Sequence, residues 1–543
     1  MAESVSDGGS KMDFETVLNN AVGEFGKYQL ISILLLAIPA ACSGFMAGDY
    51  IFTAARLPHR CAVPLCDGPE PEYLPEWISN ALPETTTGFD ECSRYVDIAD
   101  AVNATLGDLC PASMFDRNKT ESCDSYVYER TNSVVYDFNL QCQEWLRALA
   151  GTLNSVGGMV ALVIAGYISD NLGRRMSIVF FGFNEALTGL IRAFSVNYGM
   201  YIAFQFLQTA IGGGIYSASY ILATELVGPK YRVLTSATMS SAFAVGQMVV
   251  GLVASAVTEW RHLTLVLFCP VFLTVFYYWI VQESHRWLLS KNKQEQAKTT
   301  LNYVAHVNGR TISNAEMDYL LTAIPKKIEA NKDDTEKPLI LRVIKSHVLL
   351  RRCCTTPVWW ITTTFIYYGL SINSVSLSGN MYLNYIATVA VEIPGYWTAV
   401  LVLDRIGRKA VLFTGYMLCA VCCIAFAFVS NSMYGLSLAL YLIGKFSIAA
   451  VFTSLYLYTS ELYPTRHRHS FLGYSSMMGR IGSIISPLTP PLMEYWSGIP
   501  SVLFGGMAFI SAALILTQPE TLGTTLPNTV EDAELVGTTK LVS

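Results

Sequence analysis

Twelve apolar runs of about twenty residues recur along this chain, and no soluble fold buries that many. They fall near 29–54, 146–168, 176–195, 199–222, 234–257, 263–281, 356–377, 381–403, 410–430, 433–458, 471–493 and 499–517. Each is long enough to cross a hydrocarbon core of ~30 Å as a helix. Only helices and closed barrels satisfy their own backbone hydrogen bonds there, so runs of this length predict an all-α membrane protein. Composition agrees. Charged residues make up 14% of the 543, against roughly 25% in soluble domains. Few charges and a net charge of −6 argue against a nucleic-acid partner. The first run is read as a span rather than a cleaved leader.

Two polar segments interrupt the series. Residues 57–143 hold fifteen Asp/Glu and five Lys/Arg; residues 284–355 hold seven and thirteen. Short basic turns carry Arg174–Arg175, Lys230, Arg232, Arg405, Arg408–Lys409, Arg466 and Arg468. The positive-inside rule puts these turns, the 284–355 linker and both termini in the cytoplasm. The expected organisation is a cytoplasmic N-terminus (1–28), a six-span half (29–283) containing the external loop 57–143, a cytoplasmic linker (284–355), a second six-span half (356–517) and a cytoplasmic tail (518–543). The linker is expected to form short amphipathic helices, whose basic character suits anionic lipid.

Cysteine usage supports that topology. Six of thirteen cysteines lie in the external loop: Cys61, Cys66, Cys92, Cys110, Cys123 and Cys142. An even number facing an oxidising space reads as three disulfides, with fifteen pairings open. Two sequons, at Asn103 and Asn118, lie in the same loop and are candidate glycosylation sites.

The chain also repeats itself at about 236 residues. Asp170-Asn-Leu-Gly173-Arg174-Arg175 recurs as Asp404-Arg405-Ile-Gly407-Arg408-Lys409. Thr224-Glu225-Leu recurs as Ser460-Glu461-Leu, and Glu283 after the sixth run recurs as Glu520 after the twelfth. Matched turns in two six-span halves argue for parallel repeats about a central site. Asp170, Arg174, Arg175, Glu225, Asp404, Arg408 and Glu461 are the candidate gating residues. Each Arg is expected to pair with the Glu of a neighbouring helix, and each Asp to face a helix N-terminus. Such pairs would lock the cytoplasmic ends together when the protein opens outward.

The doubled Asp-x-x-Gly-Arg-Arg/Lys turn resembles the signature of the major facilitator superfamily. Further motifs narrow the resemblance. They are Pro58-His59-Arg60-Cys61 opening the loop, Val391-Glu392-Ile-Pro394, Gly444-Lys445-Phe and Gly479-Arg480-Ile-Gly482. Together these are similar to the organic cation, organic anion and carnitine transporters, over about Asp13 to Asp532. One departure is His285, which stands where the family usually has Pro. The resemblance implies a plasma-membrane carrier of small organic ions working by alternating access, not an enzyme. It implies no cofactor and no metal, and leaves any coupling ion open. No phosphate-binding loop or metal-ligand spacing is present in the sequence.

Charges within spans are functional candidates because their burial is costly. These are Glu185, Arg192, Glu392, Lys445 and Arg480. Arg480 matters most. The resemblance gives Asp at this position in cation carriers and Arg in anion and carnitine carriers. A guanidinium grips a carboxylate with two parallel hydrogen bonds. Lys445 points the same way. Glu392 is expected to receive an ammonium group, or else to neutralise Arg480 or Lys445. Asn373 stands where carnitine-type relatives often have Asp. Tyr216 and Tyr368 match family pocket positions and offer aromatic faces to a cation; Gln247 is a neutral polar candidate. The expected substrate is a carboxylate-bearing zwitterion or anion, carnitine-like or amino acid-like. The alternative is a simple organic cation; a sugar porter and a transport-dead receptor are more distant.

Overall fold

The computed structural model describes residues 14–85, 88–98, 110–330, 343, 345–430, 433–464, 468–523, 527 and 533–534. The sequon at Asn103 and the basic residues Arg466 and His467 lie outside the described residues.

The first half contains Lys27–Thr53 (span 1), Glu144–Leu172 (span 2), Arg174–Ala193 (span 3), the broken span 4 (Tyr198–Gly212 and Gly214–Glu225), Arg232–Ala256 (span 5) and span 6, which begins at Trp260 and ends at Ile280. The second contains His347–Asn373 (span 7), the broken span 8 (Met381–Ala390 and Glu392–Ile406), Arg408–Phe428 (span 9), Tyr434–Leu462 (span 10), Arg468–Ile485 (span 11) and Ile499–Leu516 (span 12). Eight of these stretches are long and apolar enough by themselves to read as membrane spans. The other four are spans 3, 4, 7 and 11. Spans 3 and 11 carry internal charges, and span 7 carries Arg351–Arg352 in its second turn. Span 4 breaks at the glycine triplet 212–214, where helix propensity is lowest.

Proline explains the other irregularities. Pro394 cannot donate to the carbonyl of Ala390, and span 8 breaks between Ala390 and Glu392. Pro270 lies in a 3₁₀ stretch, Cys269–Phe276, inside span 6. Span 11 ends early, at Ile485, and continues as short 3₁₀ turns around Pro487 and Pro490. Span 7 begins nine residues before the expected boundary, because its first turns are polar and escape a hydropathy reading.

The cysteine-rich loop is a small folded unit, with short antiparallel strands added to an otherwise helical protein. His59–Cys61 pairs with Tyr126–Tyr128, Glu84–Thr85 with Gly88–Phe89, and Ser93–Asp97 with Phe115–Ser122. Its disulfides are Cys61–Cys123, Cys66–Cys110 and Cys92–Cys142. Arg60 is fully buried there. It donates to Asp67 at 2.9 and 2.6 Å and to the Cys61 carbonyl at 2.9 Å, so the second polar residue of the loop-opening motif is a structural hub.

On the opposite side, the linker forms His285–Ser290, Gln294–Val307 and Asn314–Ala330, the short helices expected of it.

Candidate functional site

The repeated turns build the same motif twice. Gly173 and Gly407 have φ of +100° and +103°, which side chains rarely adopt. Each turn thereby starts the next span beside a carboxylate. Glu283 accepts from the backbone N–H of Arg174 at 2.9 Å and of Arg175 at 3.2 Å. Glu520 accepts from Arg408 at 2.9 Å and Lys409 at 3.0 Å. Two acids therefore sit on the positive ends of spans 3 and 9. Asp170 and Asp404, expected in that position, instead lie outside with their side chains 71% and 78% exposed, each touching an Arg one turn on, at 2.9 and 3.0 Å. The repeat in register marked Glu283 and Glu520, but spacing did not reveal which acid reaches the helix end.

Arg174 meets Glu225 at 3.2 Å and Arg408 meets Glu461 at 3.2 Å. Both pairs stay within one half. Arg175 stacks its guanidinium 4.8 Å from the Tyr278 ring rather than joining the ion pairs. Next to this cluster, Arg286 donates to Glu15 at 2.6 and 2.8 Å, and that hydrogen bonding holds the Glu15 carboxyl below its usual value. His285 is 2% exposed, and burial pushes its imidazole down to about 3.

The halves touch on the disulfide side. Phe52 of span 1 stacks on Tyr382 at 5.6 Å and meets Tyr385 edge-on at 5.0 Å. A Cβ on Gly48 would lie 2.4 Å from the Tyr385 hydroxyl, so this approach needs glycine. Tyr385 also donates to Gln247 at 3.4 Å, which places Gln247 in this seam. Between spans 2 and 11, Thr152 donates to the Ile484 carbonyl at 3.4 Å.

Below the seam, two buried charges of the second half form a closed set. Lys445 lies 2.8 Å from Glu392, and both side chains are fully buried. Its ammonium also donates to the Tyr367 carbonyl at 2.7 Å and the Ser371 hydroxyl at 2.8 Å. Tyr367 and Tyr396 donate to the other Glu392 oxygen at 2.5 and 3.0 Å. Of the alternatives open for Glu392, the geometry takes pairing with Lys445. Asn373 is buried and donates to the Gly369 carbonyl and the Thr489 hydroxyl, both at 2.8 Å.

Arg480 differs. It is half-buried on span 11, faces span 2 at Gly158, and its guanidinium has no hydrogen-bond or ion-pair partner among the described residues. Tyr456 lies within its electrostatic reach. Tyr216 and Tyr368 in turn lie within reach of Tyr456. Tyr216 stacks on Tyr220 at 5.9 Å, and Tyr456 is 41% exposed although it sits inside span 10. Arg480 and these tyrosines of spans 4, 7 and 10 thus share one region of the bundle, with no ring stacked on the guanidinium among the described residues. Tyr456 escaped the sequence reading because one tyrosine among thirty carries no signal of its own.

The first half has its own buried pair. Arg192 is fully buried and bonds to Asp49 and Gln205, so it does not reach for the membrane surface. Asp49 lies inside the first apolar run and was missed among the charges within spans.

Comparison with known proteins agrees with this architecture. A family model described as Major Facilitator Superfamily matches residues 145–487 and 385–534. An organic cation transporter protein of Drosophila melanogaster is 31% identical over 532 residues, covering 97% of this chain and 95% of the relative. Solute carrier family 22 member 6-B of Xenopus laevis is 30% identical, covering 96% and 95%. The chain belongs to the major facilitator superfamily, in its solute carrier 22 branch of organic ion transporters. The inward-open xylose transporter XylE from E. coli has a TM-score of 0.62 at 16% identity, covering 94% of this chain and all of that one, a likeness of fold. As a solute carrier 22 member, the protein is a multi-pass membrane transporter of organic ions and not an enzyme.

Proposed function

We propose that this transporter carries small organic cations across the plasma membrane by alternating access, foremost zwitterions that pair a cationic group with a carboxylate. The observation that carries this reading is the half-buried Arg480, whose guanidinium has no hydrogen-bond or ion-pair partner among the described residues. Glu392 is neutralised by Lys445, so the charge left over near the centre is positive and fits a carboxylate. Tyr216, Tyr368 and Tyr456 offer π-faces for the cationic end. The disulfide unit then faces outside, and the structure corresponds to a state closed on that side. In this reading the Arg174–Glu225 and Arg408–Glu461 pairs brace each half as it rocks.

A second reading, simple organic cations without a carboxylate, is favoured by the relatives themselves: two from Drosophila melanogaster are named organic cation transporter or organic cation transporter-like. A pure anion has no such support. The test is uptake of radiolabelled tetraethylammonium, carnitine and a dicarboxylate, side by side, in cells expressing the full chain. Carnitine uptake exceeding tetraethylammonium uptake is expected. Tetraethylammonium uptake alone selects the second reading, and dicarboxylate uptake alone contradicts both.

A further inference from the structure

Glu185, in the middle of span 3, is fully buried, and neither of its carboxylate oxygens has a hydrogen-bond partner. No donor reaches its carboxylate, although the Nε of Arg192, two turns along, is also without a partner. Gln208 of span 4 spends its amide N–H on the Glu185 backbone carbonyl at 3.3 Å, and its own side-chain oxygen has no partner. Asp49 of span 1 keeps one oxygen on Arg192, while the other has no partner. Arg192, two turns along from Glu185, is taken by Asp49 and Gln205.

The charge count is then decisive. Arg192 and Asp49 cancel. Among the described residues, the titratable groups acting on Glu185 are Asp49, a like charge, and Cys42 of span 1. Spans 2, 4 and 6, which pack on span 3, bring neutral groups to this region: Asn154, Gln205, Gln208 and Thr274, with Tyr201 turned toward Arg192. An ionised Glu185 would be a lone negative charge in hydrocarbon beside another acid, and a proton removes that cost.

We propose that Glu185 is a proton-binding site whose filling and emptying couple this transporter to the proton gradient. The step is reversible binding only. The proton is held on the carboxyl while the disulfide-side seam is closed, and leaves to water when rearrangement of the halves opens a path or frees Arg192 to pair with Glu185. This deepens the transport reading and rests on it.

The test uses the purified full-length protein in liposomes, with labelled carnitine and tetraethylammonium as probes and an imposed pH gradient of either sign. At one proton per substrate, a one-unit gradient changes steady-state accumulation about tenfold. Wild type is expected to respond on that scale. E185Q, which keeps shape but cannot titrate, is expected to lose the response, and E185D to regain part of it. Accumulation indifferent to the gradient in wild type, or an undiminished response in E185Q, overturns the proposal. Infrared spectroscopy of the same protein does not require the right substrate. Loss of a protonated-carboxyl band in E185Q supports the site, and identical spectra overturn it. If neither probe is transported, the substrate reading fails and the infrared result alone decides the proton site.

Discussion

Glu392 and Lys445 invite a double-mutant cycle, because the geometry makes the two single losses unequal. Glu392→Gln leaves the Lys445 ammonium fully buried without a counter-charge, held by the Tyr367 carbonyl, the Ser371 hydroxyl and the Tyr367 ring face at 3.7 Å. Breaking a buried pair by removing one member costs about 3–5 kcal/mol. Lys445→Met leaves Glu392 with two hydroxyl donors, Tyr367 and Tyr396, and a carboxyl can also take a proton. That loss is nearer the worth of a charged hydrogen bond, about 1.5–3 kcal/mol. The double variant removes both charges and is expected to be more stable than Glu392→Gln alone, which requires a coupling larger than the Lys445→Met loss, about 3 kcal/mol. The assay is thermal inactivation of detergent-solubilised protein, with surface expression measured beside it. The expected order of stability is wild type, Lys445→Met, the double variant, then Glu392→Gln. Additive losses would refute the pair. So would a Glu392→Gln protein of normal stability whose only defect is a raised KM for amine-bearing substrates, since Glu392 would then be a substrate ligand.

Other expectations follow from the repeated turns and the flanking domains. Arg408→Ala removes contacts to Glu461 and the Leu403 carbonyl and should sharply reduce maximal uptake at normal surface level. Asp404→Asn, at a side chain 78% exposed, should cost under about 1 kcal/mol and leave uptake nearly normal; equal defects would contradict this. His285 titrates at about 3 when folded and at about 6.5 unfolded, so the unfolded chain binds the extra proton between those values and stability falls as pH drops through this window. From pH 7.5 to 5.5 the loss is about 1.4 kcal/mol, and His285→Gln should remove it from pH-dependent melting curves. The exposed Asn118 should carry glycan, so that glycosidase lowers the apparent mass of surface protein; no shift in wild type would place the disulfide unit differently.

Apolar length and repetition made the fold legible. Twelve runs, matched turns and six clustered cysteines are one-dimensional signals, and each corresponds to an element of the structure. Partner choice was not legible. Sequence offered Glu392 three roles, and only proximity to Lys445 decides among them. It gave the helix N-termini to Asp170 and Asp404, yet Glu283 and Glu520 take those positions and leave the two Asp side chains largely in solvent. Glu283 and Glu520 stand over a hundred residues from the helix ends they contact. The strands in the external unit are two to eight residues long and pinned by disulfides, so no periodicity announces them.

The central claim is that Arg480 selects a carboxylate on a cationic substrate. The most direct measurement compares binding of carnitine with that of choline, which shares the trimethylammonium group but lacks the carboxylate, to wild type and to Arg480→Asp. One charge-assisted hydrogen bond is worth about 1.5–3 kcal/mol, so wild type should prefer carnitine by at least about ten- to a hundredfold, and Arg480→Asp should reverse the preference. Equal affinity in wild type, or an unchanged ratio in Arg480→Asp, would contradict the claim.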